Sequence, residues 1–96
     1  MDVRTLSALP GAELVIRGLR DLAHTEDSIE ALLVLIGAPK LRSFGLTVPA
    51  TKRLPSPEHR LYARLSAEDS NTAHSRYNAL VRRLVSFERA VACASR

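Results

Sequence analysis

Tyr77, Leu80, Leu84, Phe87, Val91 and Ala94 follow one another at intervals of 3, 4, 3, 4 and 3 residues. No other feature limits the fold as strongly. A stripe of that period lies on one side of an α-helix and cannot be buried by a strand, whose side chains alternate every second residue. The spacing predicts one long helix from about Thr72 to Ala94 that needs other helices against it. Val81 and Val85 widen the stripe beyond a two-stranded coiled-coil seam, so bundle packing is expected. Aromatic residues are only 4% of the chain and Trp is absent, so the core must be aliphatic, which favours helices over sheets.

The arginines of this stretch set the first functional question. Arg82 and Arg89 flank one edge of the stripe and Arg76 and Arg83 the other, with Ser75, Ala79, Ser86 and Cys93 on the outer face. A helix that reads base edges carries Arg, Lys, Asn or Gln along its exposed middle. Here that middle is small and nearly neutral, a pattern suited to phosphate contact or to a closely packed partner helix. Glu88 falls inside the apolar stripe. Either it is buried and takes a partner from Arg20, Arg60, Arg64 or Tyr62, or this part of the helix tilts into solvent.

Four further helices are expected upstream. In GAELVIRGLRDLAH, Ala12, Val15, Ile16, Leu19, Leu22 and Ala23 share one side, Arg17 can pair with Asp21, and Gly18 marks a close helix contact. The next helix lies within HTEDSIEALLVLIGAP, with Thr25 or Asp27 as cap, Asp27 and Glu30 at capping-box spacing, and Gly37 with Pro39 as the stop. Its apolar residues go nearly all round, which places it in the middle of the core or in a subunit interface. Pro39 opens a short helix ended by Gly45. GLTVPATKRLPSP then reads as a Pro-rich extended connector. Ser56 caps and Pro57 begins the fourth helix, with Leu61, Tyr62 and Leu65 inward.

The expected architecture is an all-α bundle of four to five helices with a long C-terminal helix. It forms one domain over residues 1–96 with a soft boundary at the connector, 46–57. Charge is uneven along it. Residues 1–35 carry three Arg against six acids, and residues 36–96 carry eleven Lys and Arg against four acids. The net values, −3 and +7, make up the +4 of the whole chain. The two parts either neutralise each other within one fold or present an acidic partner with a basic surface.

Several chemistries are excluded or weakly supported. His24, His59 and His74 lack ligand spacing and Cys93 stands alone, so no metal and no disulfide is expected, and a reducing cytoplasm fits. The longest apolar run, residues 31–36, is far short of a membrane span, and the N-terminus lacks the apolar core of a secretory signal. Cys93 sits in the last turn of its helix, where the dipole disfavours a thiolate. No glycine-rich phosphate loop is present, so no nucleotide cofactor is expected. Arg17 or Arg20 beside His24 is read as coincidence. The second helix of an apparent helix-turn-helix, between Pro39 and Gly45, is too short to enter a groove. The most site-like polar cluster is Tyr62, His74, Tyr77, Asn78 and Glu88.

The sequence therefore favours a non-enzymatic helical module for protein interaction or assembly, acting on a protein partner or as a homodimer. Its contact face would be the apolar second helix or the small-residue face of the last. The alternative is a small basic regulator that binds the nucleic-acid backbone through Lys40, Arg42, Lys52, Arg53, Arg60, Arg64, Arg76 and Arg83. A small hydrolytic enzyme has the least support.

Overall fold

In a computed structural model, described for residues 6–49 and 56–94, the chain forms α1 (Ala12–Ala23), α2 (Ile29–Ile36), α3 (Ala38–Ser43), α4 (Pro57–Glu68) and α5 (Ala73–Ala94). The described residues contain no strand. The all-α bundle with a long C-terminal helix is therefore the observed fold. Its radius of gyration, 13.1 Å, is that of a compact chain of this length, about 13 Å for 100 residues.

The apolar second helix is the hub. α2 packs on each of the other four helices, most extensively on α1 and α4. Ala31, Leu32, Leu33 and Val34 are buried in succession, which takes contact on every side of the helix. This coverage comes from within the chain, so the middle of α2 is core, while Leu35 and Ile36 at its end stay half-buried. Around it Val15 and Leu22 of α1, Leu41 of α3, Leu61 and Leu65 of α4, and Leu84, Phe87 and Val91 of α5 complete the core.

Two glycines set how closely these helices approach. Gly18 of α1 faces α2, and a Cβ there would run into the Glu30 carbonyl oxygen and Val34 Cγ2. Gly11, just before α1, has φ +76°, and a Cβ on it would lie 2.6 Å from the carbonyl oxygen of Arg83 in α5. The first is a helix crossing too tight for any side chain. The second combines a left-handed turn with a close backbone approach.

The cap of α2 differs from expectation. Ser28 caps it: its Oγ accepts from the Ala31 N–H at 3.0 Å and donates to Asp21 Oδ2 at 2.5 Å. Thr25 instead sits in the turn with φ 55°, and Asp27 faces α4. A cap is selected by backbone geometry, and Ser28 has the extended φ/ψ that lets a side chain reach back to the first turn. Arg17 likewise departs from its expected partner, reaching Glu30 across the helix pair at 4.0 Å, because Asp21 is turned toward Ser28.

Three inward assignments change. Tyr62 is 41% exposed beside fully buried Leu61 and Leu65. Leu61 and Leu65 stand one turn apart, and a neighbour of Leu61 is rotated about 100° off their line. Ala23 and Ala94 lie at helix ends and are exposed. The buried stripe of α5 therefore ends at Val91. After α3, Val48 is buried and the Arg42 guanidinium donates to its carbonyl oxygen at 2.9 and 3.1 Å, so the start of the connector is pinned. The rest of it, with Lys52 and Arg53, lies outside the described residues.

Candidate functional site

The described basic residues named for phosphate contact are distributed among separate acceptors. Arg60 of α4 pairs with Asp27 at 2.6 Å, and Arg64 one turn later donates to the Asp27 carbonyl oxygen. Arg76 pairs with Glu68 at 2.9 Å across the α4–α5 turn, and Arg83 pairs with Glu13 at the start of α1. Arg42 holds Val48, and Lys40 stands at the exposed end of α3. The acidic first third of the chain thus meets the basic remainder at Glu13 and Asp27, while Glu30 pairs with Arg17 inside that third. Exposed pairs of this kind contribute little to stability, about 0–1 kcal/mol each. Their effect here is on the field, since Arg17, Arg60, Arg76 and Arg83 each face an acid.

The polar cluster divides in two. Tyr62 and Tyr77 face each other across α4 and α5, ring centroids 5.7 Å apart at 59°. Burial pushes the Tyr77 hydroxyl above its ordinary pKa, and the nearby Glu58 carboxylate adds to the effect. Asn78 and His74 contact one another at 3.1 Å, one turn apart on α5. Glu88 lies three turns further along the helix and belongs to a different place. His24 is spent locally, its Nδ1 lying 2.8 Å from the Arg20 carbonyl oxygen at the end of α1.

Glu88 defines the second site. It is only 9% exposed and lines a pocket of about 250 Å³ between the start of α3 and the flank of α5. The walls are Ile36, Gly37, Pro39, Val81, Leu84 and Val85, with Lys40 at the rim. Gly37 makes the room: a Cβ there would lie 3.2 Å from Glu88 Oε2 and 3.0 Å from Leu84 Cδ2. The carboxyl pKa is raised, first by burial, while the Lys40 charge pulls it back without cancelling that effect. The proposed partners Arg20, Arg60, Arg64 and Tyr62 do not serve it. Arg60 and Arg64 hold the Asp27 turn, and Tyr62 lies against Tyr77.

This pocket is the site that sequence reasoning did not assemble. Its signals were present separately: Glu88 inside an apolar stripe, the widening valines Val81 and Val85, and the Gly37–Pro39 break. Only the packing of α3 beside α5 joins them. A wider depression of about 490 Å³ on α1 is lined by Ser7, Glu13, Ile16, Arg17, Arg20 and Asp21, with charges of both signs. Among the described residues no group of three His, Cys, Asp or Glu is gathered to hold a metal, and no helix is long and apolar enough to cross a membrane. Cys93 is exposed on the outer face of α5 with Ser75, Ala79 and Ser86.

The fold and site define a small all-α protein with an apolar, carboxylate-bearing pocket beside its longest helix. Comparison with protein-family models, curated proteins and solved structures finds no match.

Proposed function

We propose that this chain is a helical protein-interaction module whose contact face is the flank of α5 beside α3. The observation that carries this reading is the pocket wall itself. Ile36, Val81 and Val85 are left half-buried there around a carboxylate, on a surface otherwise laced with charged pairs. Apolar area beside a small number of placed polar groups is the composition of a recognition pocket. The contact face thus shifts from the middle of α2, whose apolar residues are used internally, to the helix flank that α2 and α3 leave partly covered. Backbone binding to nucleic acid has less support, because Arg60, Arg76 and Arg83 each lie against a separate acid.

The test is site-specific photocrosslinking in the native host. A photoreactive residue at Val85 should give a discrete protein adduct, and the same residue at Ser75 on the outer face should not. Equal labelling from both positions, or none from Val85, would overturn the reading. So would strong retention on DNA or RNA that falls steeply with salt, the mark of counterion release.

A further inference from the structure

Among the described residues no cation pairs with Glu88 within 4.0 Å. Glu88 as a residue is nine-tenths buried, and among the described residues none donates a hydrogen bond to its carboxylate. Among the described residues no fully buried side-chain oxygen or nitrogen goes unpaired, so the exposure Glu88 retains reaches its oxygens, which open into the pocket. Around them stand Ile36, Pro39, Val81, Leu84 and Val85, walls that suit methylene groups. Lys40 is the charged group at the rim; it is exposed, makes no ion pair with Glu88 within 4.0 Å, and leaves the burial effect dominant. An unpaired buried carboxylate is expensive, and a cation on an aliphatic stem offsets that cost while covering the apolar wall.

We propose that this pocket receives a lysine side chain from a partner protein, its methylenes against Val81 and Val85 and its ammonium on the Glu88 carboxylate. A lysine fits better than an arginine. The site presents one carboxylate without neighbouring acceptors, which meets a compact ammonium but leaves most of a guanidinium's five donors unused. The proposal deepens the interaction reading above and rests on it for the source of the lysine.

Nuclear magnetic resonance titration of the full chain tests it, with Nα-acetyl-lysine N-methylamide as the lysine in a peptide context. n-Butylammonium serves as the free amine and n-butanol as its neutral counterpart. Saturable shifts at Gly37, Val81 and Val85 are expected with the capped lysine and with n-butylammonium, and none that saturate with n-butanol. Glu88→Gln should weaken binding of the capped lysine at least tenfold. Gly37→Ala keeps the carboxylate but narrows the pocket, and should weaken it by several-fold. Three results would each overturn the proposal: no saturation with the capped lysine, equal response to n-butanol, or unchanged binding by Glu88→Gln. Binding of n-butylammonium without the capped lysine would also overturn it, assigning the pocket to free amines. A capped lysine that binds while Val85 gives no protein adduct would leave the pocket chemistry standing and remove the interaction reading alone.

Discussion

Glu88 is the residue at which charge and packing conflict most openly. Its folded carboxyl titrates above its unfolded value, so between those two values the folded state holds the extra proton. Stability contributed by this group is therefore complete below the unfolded value, falls as pH rises through the window, and levels off above it. Glu88→Gln removes the charge and keeps the shape. Its stability gain over the parent should be absent at acid pH and reach a plateau at higher pH, read as urea midpoints from about pH 3 to 8, a range that brackets the ordinary glutamate pKa of about 4.3. A gain that stays flat with pH would contradict the burial argument. Ser28 gives a second test at this scale. Its hydroxyl satisfies the Ala31 N–H and ties Asp21 to the cap. Ser28→Ala should cost about 1 kcal/mol, whereas Thr25→Ala, at one of the two cap positions the sequence offered, should cost less.

The helix pair α1–α2 depends on the absence of a side chain. Gly18→Ala adds one carbon where the Glu30 carbonyl oxygen already stands. In an open helix this substitution stabilises by about 1 kcal/mol through propensity. Here the helices must separate, and overpacking of that kind costs about 1–3 kcal/mol, so the net sign is destabilising. Thermal melting checks the sign, and a stabilised variant would show that the pair can part freely. The same scale shows what was legible. Periodicity gave the five helices named here to within about three residues, and Gly18 as a contact, because those depend on near neighbours. The cap of α2 was misplaced by one to three residues because the deciding partner, Asp21, comes from the preceding helix. Tyr62 was misassigned because a short helix offers two adjacent apolar positions and only the neighbouring helices choose between them.

At the scale of the molecule, the hub helix and the ion pairs have opposite weights. Leu33 is fully buried where helices converge on α2, so Leu33→Ala should cost about 2–5 kcal/mol in chemical unfolding. Arg83→Ala breaks an exposed pair with Glu13 and should cost no more than about 1 kcal/mol. Equal losses from the two variants would overturn this division between core and surface.

The amino-acid sequence alone determined that this protein is helical, aliphatic in its core and built around a long last helix, because those properties follow from residue type and a repeat of three to four positions. It also marked Glu88 as anomalous. Tertiary structure alone decided that the middle of α2 is covered from within, that the arginines are divided among Glu13, Asp27 and Glu68, and that Glu88 faces Ile36, Gly37 and Lys40. Those outcomes depend on which helices meet and at what distance. Charge pairing and pocket shape are set across 8 to 70 residues of chain and between separate elements, where the local pattern carries no information about the partner.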